Sequence, residues 1–247
     1  MKISYLFPTI KPKEIGLQII EDIKRLPSHD YEIVLVSPDE SWAENTDIKY
    51  VKENKKEGTV KATNLAYKNC SGDFVICQTD DHRFSSNFLD FIKSALSEEV
   101  SKTKIRVGNA CVIFGRYGSR CYYKPTKTLE TQIHPTSLVV PETIPCRPYS
   151  IVCFPMIFKE DVERHMDGVI FNESFNSFYA DSWMGMFVEK ENKKEIDWPK
   201  DVWVDVQKSN SQYVNNRNAL EKDHHTFLKL IKKFNENPDI SYNSTVD

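Results

Sequence analysis

Over the first hundred residues, apolar positions alternate between short continuous runs and runs spaced three and four apart. Residues 3–7 form a short apolar run closed by Pro8 and Thr9, which predicts a strand and its stop. From 12 to 26, Ile15, Ile19, Ile23 and Leu26 mark one helical face, and Pro12 suits the first turn. Residues 31–36 predict a second strand ending in Ser37, Pro38 and Asp39, and 47–51 a short third one. A helix is expected over 58–70, stopped by Ser71 and Gly72. A strand over 73–78 follows and runs into Thr79, Asp80, Asp81 and His82. Helical spacing returns over 87–96 through Phe88, Ile92 and Leu96. Repeated alternation of this kind predicts an α/β fold with a mainly parallel sheet and helices on its faces.

Beyond residue 100 the pattern loosens. Strands are expected over 105–114 and 117–124, around Gly115 and Gly118. Residues 125–148 are rich in Pro and Thr and predict a long irregular segment, of the sort that often serves as a binding loop or lid. Strands are expected at 149–158 and 202–206, and helices at 159–166, 179–190 and 219–235. The last helix carries Phe227, Leu230, Ile231 and Phe234 in its stripe, and the polar tail after Pro238 is expected to fray.

Composition narrows the class without naming it. The chain has 247 residues, 40% hydrophobic and 28% charged, which suits a globular α/β protein with a real core. A net charge of −3 does not point to nucleic acid or an anionic membrane as partner. Cys70, Cys77, Cys111, Cys121, Cys146 and Cys153 include no C-x-x-C pair, so structural zinc is not expected. Cys77 and Cys111 lie in apolar runs and read as small buried hydrophobes in a reducing, cytoplasmic setting. No stretch approaches the length of a membrane span, and the sequence lends no support to association with a membrane surface.

The densest candidate chemistry is Thr79-Asp80-Asp81-His82, directly after a predicted strand. Parallel sheets take ligands beyond the carboxyl ends of their strands. Adjacent carboxylates there repel, and a hard divalent cation, Mn2+ or Mg2+, relieves that repulsion through oxygen ligands. Asp80, Asp81 and His82 are therefore candidate metal ligands. An Asp capping the next helix is the structural alternative.

Four elements stand in order around that motif. Residues 3–9 are a strand ending in Pro8-Thr9. Residues 32–39 are a strand ending in an Asp-bearing turn at Asp39. Gly58 precedes a helix carrying Ala62 and Asn64. Gly72-Asp73-Phe74 leads a strand into the acidic motif. Over about the first hundred residues this order resembles family 2 of the GT-A glycosyltransferases.

The resemblance implies a single GT-A domain, with residues 1–100 binding a nucleotide-sugar and 101–247 binding the acceptor. It implies a UDP- or GDP-type donor, a glycan or other hydroxyl acceptor, and Mn2+ or Mg2+. It places Pro8, Thr9, Asp39, Lys61, Asn64, Thr79 and Asp80 at the donor, with Asp39 accepting from a base N–H. Lys56 and Lys61 also read as solvated helix-flank lysines. In an ungapped alignment Thr79 takes the place of the first Asp of the family's D-x-D element and Asp81 that of the second. Family members carry a catalytic carboxylate at a helix start near the acceptor, which here implies Asp181 as base and Trp183 as a stacking surface for a sugar. Asp181 as a helix cap and Trp183 as core are the structural alternatives. Asp205 is a weak late metal candidate.

The expected mechanism is a single inverting displacement. The metal neutralises charge on the leaving diphosphate, and Asp181 takes the acceptor proton. His224 and His225 are expected at the surface, as are Arg116, Arg120 and Arg147. Two other readings stand beside this one. One is a nucleotidyltransferase, disfavoured because 8–12 is not Gly-rich. The other is a non-catalytic relative that binds nucleotide or glycan.

Overall fold

The structure, a computed structural model, describes residues 1–80, 82–84, 89, 105, 107–109, 112–113, 155–192, 204–206 and 217–246. Its centre is a sheet built from β1 (Ile3–Pro8), β2 (Tyr31–Ser37), β3 (Lys49–Lys52), β4 (Phe74–Cys77), β6 (Val107–Asn109) and β8 (Pro155–Phe158). The strand order is β3-β2-β1-β4-β8-β6. The first four strands are parallel, and β8 runs antiparallel to both β4 and β6. Strands buried on both faces read as unbroken apolar runs, as Phe74–Cys77 does here. A second sheet orders β5 (His82–Phe84), β9 (Val204–Val206) and β7 (Val112–Ile113).

The helices are α1 (Lys13–Arg25), α2 (Thr59–Lys68), α3 (Lys159–His165), α4 (Ala180–Asn192) and α5 (Arg217–Glu236). Period-two alternation sends the side chains of β1 to opposite faces. Ile3, Tyr5 and Phe7 pack with Ile19, Ile20 and Ile23 of α1 and with Trp42. Leu6 packs on the other face with α2, α4 and α5. The mainly parallel sheet flanked by helices is therefore present as expected, with Pro12 just ahead of α1.

Two expectations change. Within 105–114 the described residues include two short strands, β6 and β7, in different sheets. The tail does not fray. Tyr242 is fully buried, its hydroxyl donates to Ile170 O at 2.8 Å, and its carbonyl accepts from Trp183 Nε1 at 2.9 Å. Of the strand expected over 149–158, the described residues form β8, a strand as expected. The segments 87–88, 90–96 and 116–148, with Arg116, Arg120 and Arg147, lie outside the described residues. Cys70 and Cys77 are buried, unbridged thiols. Among the described residues no helix is long and apolar enough to cross a membrane.

At the amino edge of the parallel strands, Glu32 gathers Ser4, Ser71 and Lys2. Its carboxylate accepts from Ser4 Oγ at 2.6 Å, from Ser71 N at 2.5 Å and from Lys2 Nζ at 3.0 Å. Burial pushes its pKa up, but these bonds outweigh burial and hold it at about 2, against an ordinary 4.5. A depressed folded-state pKa contributes stability above the unfolded value, and that stability is lost as pH falls from about 4.5 towards 2. The side chain is only 15% exposed, so screening removes little of this. Glu32→Gln is expected to flatten the acid limb of the stability curve by on the order of 2–3 kcal/mol. Denaturant unfolding of both proteins at about pH 7 and about pH 3 checks it; parallel curves would refute it.

Candidate active site

The carboxyl ends of β1, β2 and β4 lie side by side, because Pro8 pairs with Val36 and Leu6 with Cys77. Each strand delivers one expected residue to that edge. Thr9 is 4% exposed, and its N–H donates to Val36 O at 2.9 Å, which continues the β1 pairing. Its hydroxyl donates to Asp80 Oδ2 at 2.9 Å. Asp80 Oδ1 is 2.8 Å from Lys11 Nζ, an ion pair with 9% of the lysine and 14% of the aspartate side chain exposed. Gln78 N–H donates to Leu6 O at 2.8 Å and carries the β4 pairing up to Thr79, which is half-buried.

Asp39 lies at the same edge, exposed, where it caps a 3-10 turn (Glu40–Glu44) and accepts from Ser41 N at 2.9 Å. That N–H, with Lys13 nearby, lowers its pKa, so it stays an acceptor at neutral pH. Pro8 is half-buried. Ile10, between Thr9 and Lys11, is 50% exposed, an apolar surface beside that edge that the sequence reading passed over.

Other expected residues sit elsewhere. Lys61 is exposed and pairs with Glu57 at 2.7 Å, and Lys56 is exposed, so both take the solvated helix-flank alternative. Asn64 is 1% exposed and spends its amide on the backbone. Oδ1 accepts from Ile170 N and Phe171 N at 3.1 and 3.0 Å, and Nδ2 donates to Phe171 O at 2.7 Å. It fastens the 170–171 backbone to α2 and has no face towards a ligand. Trp183 is fully buried, edge-on to Phe234 with centroids 5.9 Å apart, so it is core and offers nothing to a sugar. The signal was present: 183–188 carries no polar side chain, as in a helix enclosed on every side.

Asp81 and the side chains of His82 and Asp205 lie outside the described residues. The backbone register places Asp205 of β9 opposite Arg83 of β5, on the strand beyond the acidic motif.

Asp181 follows a segment that is tied to this edge through α2. α2 starts from the loop after β3, at the carboxyl edge, where Gly58 adopts φ +102°. A Cβ there would lie 2.2 Å from Asn176 O, so only glycine lets the two segments touch. The first turn of α2 holds the facing segment through Val60 N to Asn176 O at 3.1 Å and Thr59 N to Ser177 Oγ at 3.3 Å. Three residues on, after Tyr179 at φ +61°, α4 opens with half-buried Asp181 in its first turn. Oδ1 of Asp181 accepts from Ser182 N at 2.7 Å.

The sequence reading missed the support behind this turn. Asp223 of α5 is fully buried and accepts from the N–H groups of Asn176, Ser177 and Phe178 at 2.9, 2.8 and 2.8 Å. Its place in line with Phe227, Leu230 and Phe234 on the apolar stripe was the available signal. His225 is exposed as expected. His224 instead is half-buried and stacks on Tyr179 with centroids 5.4 Å apart; burial, with His225 beside it, lowers its pKa.

No protein-family model matches the sequence, and no curated relative matches it. Solved structures do match the fold. Residues 1–349 of S. aureus TarS in complex with UDP-GlcNAc align with TM-score 0.65 at 16% identity, over 98% of this chain and 68% of that one. The fold is of the GT-A type. A second S. aureus TarS structure aligns with TM-score 0.63 at 15% identity, over 98% of this chain and 41% of that one. The mannosyltransferase PcManGT from Pyrobaculum calidifontis, in complex with GDP-Man and Mn2+, aligns with TM-score 0.56 at 14% identity, over 88% of this chain and 60% of that one.

Proposed function

We propose that this chain is a glycosyltransferase that moves a sugar from a UDP- or GDP-type donor to a hydroxyl acceptor with inversion. The observation that carries the reading is the Thr9–Asp80 bond, which joins the ends of β1 and β4 in a GT-A sheet with Asp39 on the adjoining β2 turn. That is the crevice where open α/β sheets take nucleotides. Matched structures with the same fold hold UDP-GlcNAc in one case and GDP-Man in another.

Asp39 accepts from a base N–H, Ile10 offers the base an apolar face, and Thr9 and Asp80 take the sugar-phosphate side. Asp181 accepts the acceptor proton as the new bond to the anomeric carbon forms. The bond to the diphosphate oxygen breaks on the opposite face, and its electron pair leaves with the diphosphate, so the configuration inverts.

Mn2+ or Mg2+ would be held by Asp80 with Asp81 and His82, and of these three side chains the structure describes Asp80 alone. Both oxygens of Asp80 are engaged, one of them by a cation, and no three His, Cys, Asp or Glu among the described residues gather to hold a metal.

Thermal unfolding with UDP, GDP and their sugar conjugates tests the reading. A saturating ligand is expected to stabilise the chain by about 2–4 kcal/mol. Anomeric configuration of the product, read by NMR, tests inversion. A folded chain that responds to no nucleotide and releases none from any donor would remove the reading.

A further inference from the structure

The positive charge bonded to Asp80 belongs to a lysine. Lys11 Nζ meets Oδ1 at 2.8 Å and Thr9 Oγ1 meets Oδ2 at 2.9 Å. Thr9 Oγ1 also accepts from Lys11 N–H at 3.2 Å. These bonds hold the root and the head of the lysine at once. An ion pair this enclosed is a poor source of stability, since both charges lose their hydration and an apolar pair often serves a fold as well. Its position at the carboxyl edge of four parallel strands gives it a use. It is a cation whose ordering is complete before any ligand arrives. A divalent ion seeking Asp80 must displace that ammonium or share the carboxylate with it against repulsion. Thr79, at the place of a first acidic residue, brings no carboxylate of its own.

We propose that Lys11 is the resident counter-cation of the nucleotide site. Held on Asp80, its ammonium receives the phosphate charge of a nucleoside diphosphate, which therefore binds without a divalent ion. An ammonium on a phosphate is a common point-charge contact. The role rests on the donor-site reading above and adds to it the group that meets the diphosphate.

Isothermal titration calorimetry on the full chain decides it. UDP and GDP are titrated in EDTA and in MnCl2, with uridine and guanosine as probes that lack phosphate. The proteins are wild type, Lys11→Arg, Lys11→Met and the double variant Lys11→Met/Asp80→Asn. Wild type is expected to bind a diphosphate in EDTA, and Lys11→Arg to stay close to it. Lys11→Met and the double variant are each expected to bind the diphosphate about tenfold or more weaker, with nucleoside affinity unchanged. The double variant leaves no buried charge without its partner, so a deficit that persists there reports phosphate recognition and not neutralisation of Asp80. Wild-type affinity in the double variant, or diphosphate binding only with Mn2+, overturns the role of Lys11 and leaves the donor site standing. Failure of folded wild type to bind either nucleotide in either buffer removes the donor site, and Lys11's role with it.

Discussion

Asp181→Asn is expected to lower sugar transfer by about a hundred- to ten-thousand-fold while nucleotide affinity stays near wild type. The amide keeps the shape of the carboxylate and still offers an oxygen to Ser182 N–H, now met at 2.7 Å, so the opening of α4 should survive. What disappears is the capacity to take a proton from the acceptor hydroxyl as the new bond forms. Thr9, Lys11, Asp39 and Asp80 belong to other elements, so donor binding provides an internal control. Single-turnover transfer with saturating acceptor, beside calorimetry with UDP or GDP, separates the two. Transfer at the wild-type rate in the variant would move the base to another group.

The largest effect on stability is expected from Asp223→Ala. The carboxylate collects three successive backbone N–H groups and the Asn176 side-chain amide, the last at 2.7 Å, with no exposure to solvent. Alanine leaves these donors facing a cavity. Each unsatisfied buried group costs about 1–3 kcal/mol, and water entering the gap recovers part of that. The net loss is expected to be about 3–5 kcal/mol. The segment freed by the substitution leads through Tyr179 into Asp181, so transfer should fall further than the folded fraction does. Guanidinium unfolding reads the first effect, and kcat at a temperature where the variant is fully folded reads the second. A loss below about 1 kcal/mol would mean that water replaces the carboxylate at little cost.

Local patterns were legible where a segment's own residues decide its form. Ile19 and Ile23 placed the buried face of α1, and the apolar run of β2 placed a strand buried from Ile33 to its end. The acidic motif was legible as chemistry because it follows a strand, and strand ends are where parallel sheets bind. The bonding of Asp80 was not legible. Neither Thr9 nor Lys11 signals in sequence that it will meet a residue some seventy positions away, and the pairing sets a lysine ammonium on a carboxylate of the expected metal site. Asn64 and Trp183 show the complementary gap. A polar or aromatic residue on a helix looks alike in sequence whether it faces a ligand or fastens a loop, and only packing separates the two.

By itself the sequence determined the alternation of strands and helices, the class of sheet, and which residue types stand at its carboxyl edge, since periods of two and 3.6 residues are properties of neighbouring positions. Tertiary structure alone decided the partners. Thr9 finds Asp80 across 71 residues, Asp223 finds the 176–178 turn across 45 to 47, and Trp183 finds the Tyr242 carbonyl across 59. Bonds over such separations form only when the sheet and its helices have closed the chain on itself, because the entropy of joining distant segments is met by burial of the core and not by any local preference.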